Sequence, residues 1–167
     1  KGKGSRFVVT LNLKIEEDHP DVIKKPAERA DVQKQKSKAA DKIKLLLVED
    51  NSLNLEIAQT ILEEKGYLVE CAENGEEALK IFMQSEPYTY QLILMDLQMP
   101  VMDGYTAARE IRDCEHFQAK IIPIIALTAN AFAEDMAKAL AAGMNDYVSK
   151  PIDFNKLIDV IEKCMNQ

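Results

Sequence analysis

No apolar run in this 167-residue chain approaches the roughly 20 residues that a membrane-spanning helix needs, so no membrane contact is expected of this segment. No secretory signal is expected either. Lys1 to Arg6 is basic, but no apolar stretch with a cleavage site follows. The initiator methionine is missing, which predicts a piece of a longer protein. Cysteine is scarce: Cys71, Cys114 and Cys164 are far apart, which excludes a disulfide framework and predicts a reducing, cytoplasmic setting. Basic charge is lacking where nucleic acid would need it. The net charge of −7 divides into +4 on residues 1–42 and −11 on residues 43–167. An acidic domain has no electrostatic footprint for nucleic acid. In the basic segment Lys and Arg alternate with acids, which reads as a solvated linker.

What is present is enough for a core: 47% of the residues are apolar, as in ordinary globular domains. Residues 1–15 carry an alternating run, Phe7-Val9-Leu11-Leu13, that predicts a strand with no partner nearby. Residues 16–41 are polar, with Pro20, Pro26 and a Gln/Lys-rich stretch, and predict a linker. From Lys42 the pattern becomes regular. Strands are expected at Ile43–Val48, Tyr67–Cys71, Leu92–Met95, Ile121–Leu127 and Tyr147–Ser149. Helices are expected from a cap at Asn51 or Ser52 to Lys65, from Asn74 to Met83, over Gly104–Cys114 and Ala131–Ala142, and after Asp153. Five strands alternating with five helices predict an α/β, doubly wound parallel sheet.

The stretch from Leu92 to Gly104 organises the rest. Its apolar run is that of a strand buried on both faces, and it delivers Asp96 to the strand's carboxyl end. Ligands of open parallel sheets sit beyond those ends. The other strands end in Glu49-Asp50, Thr128 and Lys150-Pro151, while the second ends in Glu73-Asn74, no more than a helix cap. A flavodoxin-like order, 2-1-3-4-5, puts that strand at the edge and gathers the chemical residues in one crevice.

Three carboxylates in one crevice repel each other and call for a cation. Hard oxygen ligands suit Mg²⁺. A carboxylate can also be a nucleophile that forms an aspartyl-phosphate. Lys150 would then supply a point charge and Thr128 a hydroxyl donor for the phosphoryl oxygens. Taken singly, each has a plainer reading. Glu49-Asp50 could cap a helix, Lys150 could be a solvated loop lysine, and Thr128 a strand-end residue. Asp96 is the most telling, because a carboxylate closing an apolar strand needs a partner.

The segments Val48–Asn54, Leu94–Gly104, Pro123–Ala129 and Ala142–Pro151 resemble the receiver domains of two-component response regulators over residues 42–167. The Glu-Asp-Asn-x-x-Asn form resembles receivers attached to hybrid sensor histidine kinases, and Gly2 to Phe7 with its strand resembles the end of a histidine kinase ATP-binding domain. The resemblance implies Asp96 as phosphoacceptor. It implies Glu49, Asp50, Asp96 and the backbone carbonyl of Gln98 as the Mg²⁺ site. Thr128 and Lys150 would be the switch hydroxyl and the lysine, with Tyr147 as the switch aromatic. Gln98 and Asn130 would tune autodephosphorylation. The implied partners are a histidine kinase dimerisation domain, as donor, and a histidine phosphotransfer protein. Three rivals differ in stated residues. A haloacid-dehalogenase-type phosphatase wants a second Asp where Gln98 stands. A flavodoxin wants a phosphate loop where Glu49-Asp50 would repel the ligand. A receiver-like module that is never phosphorylated would not need a complete acid site.

Overall fold

A computed structural model describes residues 43–129 and 132–166. The terminal strand at 1–15, the linker at 16–41, Lys42, Asn130 and the helix start at Ala131 lie outside the described residues.

Five strands, β1 (Lys44–Val48), β2 (Leu68–Ala72), β3 (Leu92–Asp96), β4 (Ile124–Thr128) and β5 (Asp146–Ser149), form one parallel sheet in the order β2-β1-β3-β4-β5. The expected order, and β2 as an edge, are borne out. The helices are α1 (Ser52–Glu64), α2 (Gly75–Gln84), α3 (Gly104–Asp113), α4 (Ala133–Ala141) and α5 (Phe154–Met165).

Successive residues of a strand face opposite sides of the sheet, and both sides here are covered. Leu46, Val48, Ile93, Met95, Ile124 and Ala126 pack against α2 and α3 through Ala78, Phe82, Ala107 and Ile111. Leu45, Leu47, Leu92, Leu94, Ile125 and Leu127 pack against α1 and α5 through Ala58, Leu62, Leu157 and Ile161. Leu157 and Ile161 therefore mark the core face of α5. Asn51, rather than Ser52, caps α1, accepting hydrogen bonds from the amides of Leu53 and Asn54 at 3.1 Å each. Asn74, Asp103 and Asp153 cap α2, α3 and α5 in the same way, each such cap stabilising its helix by about 1 kcal/mol.

Several boundaries differ from the sequence reading, most by a single residue. Ile121 to Pro123 does not belong to β4. The amides of Ile121 and Ile122 both donate to the Gln118 carbonyl at 2.9 Å, so this apolar run is a turn. Tyr67 closes the turn after α1, donating to Leu62, and β2 starts one residue later. Asp96 is the last residue of β3, so the strand's own ladder fixes its backbone.

Candidate active site at the carboxyl ends of the strands

Register brings the site together. Val48 pairs with Met95 and Asp96 with Leu127, so Glu49 and Asp96 stand level at the ends of neighbouring strands. Both carboxylates are buried, Glu49 at 3% exposure and Asp96 at 5%. Asp50 is exposed. Carboxylate oxygens of Glu49, Asp50 and Asp96 nevertheless lie within 4.8 Å of one another.

Lys150, just past β5, answers this charge. Its ammonium donates to Glu49 Oε2 at 2.5 Å and to Asp96 Oδ2 at 2.6 Å. The lysine backbone is placed by its own amide, which donates to the Thr128 carbonyl at 2.7 Å. Both oxygens of Asp96 are engaged, because the Gln98 amide donates to Oδ1 at 3.1 Å. Glu49 Oε1 accepts a hydrogen bond from the Asn54 side chain at 2.9 Å. Burial raises the Asp96 carboxyl above its ordinary range, and the nearby Glu49 carboxylate adds to this, against Lys150 and the Gln98 amide. Burial alone would lower the Lys150 ammonium, but the two carboxylates outweigh it and the net direction is upward.

Gly104 explains the tight loop behind the site. A Cβ there would come within 2.1 Å of the Asp96 carbonyl oxygen, so only glycine lets α3 start against the end of β3. Thr128 is buried at the end of β4. Tyr147 sits two rungs back on the next strand, its neighbour on β4 being Ala126, and is 37% exposed.

The expected residues thus fall into two groups. Glu49, Asp50, Asp96 and Lys150 form one contact cluster, with Gln98 touching it through its amide and Thr128 through the backbone of Lys150. Tyr147 stands apart on the surface. The sequence reading assigned no role to Asn54, although its spacing from Glu49 is that of a side chain on the first turn of a helix, leaning back toward the strand. One ammonium among three carboxylates leaves negative charge in excess, and an all-oxygen donor set of this kind fits a hard divalent cation.

Comparison with known proteins gives the same picture. A family model, the response regulator receiver domain, matches residues 45–162. Sensor protein GacS of Pseudomonas syringae pv. syringae is 38% identical over 152 residues, which cover 90% of this chain and 16% of that protein. Hybrid signal transduction histidine kinase M of Dictyostelium discoideum is 44% identical over 121 residues, 71% of this chain and 5% of that protein. The chain therefore spans a small part of the curated relatives that it matches. Among solved structures, the receiver domain of a sensor histidine kinase from Pseudomonas aeruginosa PAO1, with a magnesium ion coordinated in the active site cleft, is 39% identical with a TM-score of 0.68, over 75% of this chain and 99% of that one. A chain from the co-crystal structure of the Saccharomyces cerevisiae histidine phosphotransfer signaling protein Ypd1 and the receiver domain of its downstream response regulator Ssk1 is 36% identical with a TM-score of 0.67, over 75% of this chain and 91% of that one. The chain belongs to the response regulator receiver domain family.

Proposed function

We propose that Asp96 takes a phosphoryl group from a phosphohistidine and that this chain is the receiver segment of a hybrid histidine kinase, working on the cytoplasmic side. The observation that carries the reading is the sharing of one ammonium, Lys150, by two buried carboxylates, Glu49 and Asp96, at the carboxyl edge of the sheet. An Asp96 carboxylate oxygen attacks phosphorus. The N–P bond of the donor breaks, and the imidazole nitrogen keeps the electron pair. Lys150 already touches Asp96 and has only to follow the new charge onto the phosphoryl oxygens. The Thr128 hydroxyl supplies a neutral donor to one of them. Mg²⁺ held by Glu49, Asp50, Asp96 and the Gln98 carbonyl would supply the remaining positive charge. The magnesium-bound relative supports this last assignment for the same fold.

The donor is the dimerisation domain of the parent kinase, and the acceptor for the outward step is a histidine phosphotransfer protein. Beside the site lies a groove of about 330 Å³ lined by Ile57, Ala58, Ile152 and Phe154, with Asn54 and Lys150 at its polar end. Leu53 and Ile57 are exposed on the same helix, at 63% and 45%. An apolar helix face next to the phosphoacceptor suits a helical partner that presents a histidine. The likeness to a chain from the Ypd1–Ssk1 co-crystal supports that choice of partner.

The experiment is transfer from a phosphorylated histidine phosphotransfer protein to the full chain with Mg²⁺. Label should appear on the chain and disappear with a chelator. Ile57→Glu should slow this transfer at least tenfold, roughly the 1.4 kcal/mol that one central interface residue is worth, while leaving labelling by acetyl phosphate intact. Transfer at the wild-type rate in Ile57→Glu would remove α1 from the interface.

A further inference from the structure

Glu49 is a long side chain with three rotatable bonds, buried to 3% exposure, and its two oxygens have different partners. Oε2 meets the Lys150 ammonium, which also serves Asp96. Oε1 meets the Asn54 amide at 2.9 Å. Since a carboxylate only accepts, the NH₂ group of Asn54 must face it. The two partners do different things. Lys150 is a point charge on a flexible four-carbon stem and competes with any cation for the same oxygen. Asn54 is neutral and short, and it competes with nothing. Its backbone is fixed as well, because the Asn51 side chain caps the turn that carries it. Helical side chains lean toward the N-terminus, which is how residue 54 reaches back to residue 49.

We propose that Asn54 is a positioning residue of the cation site. Its amide holds Glu49 Oε1 so that Oε2 stays aimed into the cleft when Lys150 leaves it. The inference rests on the reading that Glu49, Asp50 and Asp96 hold Mg²⁺. Without the amide, Glu49 is free to rotate or to give both oxygens to Lys150, and each outcome removes a ligand from the cation. Asn54 touches neither the cation nor the phosphoryl group, so its loss acts on occupancy of the site and leaves the chemistry at full occupancy unchanged.

The test is a Mg²⁺ titration of the full chain followed by the amide signals of Asp96 and Gln98, with labelling by acetyl phosphate at saturating Mg²⁺ as the second readout. Asn54→Leu keeps the size and deletes the donor. It should raise the Mg²⁺ dissociation constant about tenfold, the usual effect of losing an outer-shell partner, with maximal labelling within about twofold of wild type. Asn54→Gln, which keeps an amide, should recover most of the affinity. A dissociation constant for Asn54→Leu within about twofold of wild type overturns the proposal, since outer-shell effects exceed that. So does a Gln variant as weak as the Leu variant, which would assign the effect to packing. Asn54→Ala is judged by the same limits where the Leu variant does not give a folded spectrum. No Mg²⁺ response in the wild type would instead overturn the underlying metal assignment.

Discussion

The Lys150 ammonium lies 2.6 Å from Asp96 Oδ2 and, at 2.5 Å, also meets Glu49 Oε2, so one cation serves two buried carboxylates. Removing one partner of a buried ion pair leaves an uncompensated charge. Lys150→Met should therefore cost about 3 kcal/mol of stability in the absence of Mg²⁺. Part of that loss should return when Mg²⁺ is added, because a cation would then answer the carboxylates. Urea unfolding with chelator and with Mg²⁺ measures both. An unchanged midpoint under both conditions would mean that the pair contributes nothing to the fold.

The two titrating groups set pH effects of the same sign in different pH windows. Lys150 has a raised folded value, so its contribution is complete below the ordinary lysine value and is lost as pH rises through the higher folded one. Asp96 is also raised, so the native state holds its proton longer than the unfolded chain does, and stability falls as pH rises across that interval. The ionised Asp96 is thus a strain on the fold at neutral pH. Asp96→Asn should melt higher than wild type at pH 7 and lose that advantage in acid. A variant that melts lower at pH 7 would contradict the burial argument.

Much of the site was legible because strand ends are legible. An apolar run followed by Glu49-Asp50, by Asp96 or by Thr128 marks both a buried strand and the residue at its carboxyl end. Other features were not. Ile121 and Ile122 look like strand, yet Ile121 is 61% exposed and Ile122 is buried within a turn, and hydropathy does not separate the two cases. Glu49 and Asp50 look equivalent, but a single residue decides which is buried in the cleft and which faces solvent. Arg112 had no signal at all. Its guanidinium donates to the carbonyls of Gly143 and Ala119 and to Asn145 Oδ1 at 2.8–3.0 Å, partners that are neutral and, for Gly143 and Asn145, distant in sequence.

Val101 has φ of 67° and is 78% exposed. A β-branched residue in the left-handed region is strained by roughly 1–2 kcal/mol, and no packing compensates an exposed side chain. Val101→Asn, which tolerates that region, should raise stability by about 0.5–1 kcal/mol in urea unfolding. A loss of stability would show that the Val101 side chain makes a compensating contact.

Thr128 and Tyr147 occupy neighbouring strands, with Thr128 paired to Ser149 and Ala126 to Tyr147. A phosphoryl group on Asp96 would draw the Thr128 hydroxyl inward and open space toward Tyr147. Thr128→Ala should still accept phosphate but lose most of the change around Tyr147. Amide NMR with beryllofluoride reads this. Shifts near Tyr147 equal to wild type would leave Thr128 a structural residue.

Mass spectrometry of the full chain after incubation with acetyl phosphate and Mg²⁺ identifies the phosphoacceptor directly. One phosphoryl adduct is predicted, on the peptide that carries Asp96, lost with a chelator and absent from Asp96→Asn, whose amide is a poor nucleophile. An adduct of wild-type extent on Asp96→Asn, or one located on another residue, would contradict the assignment of Asp96.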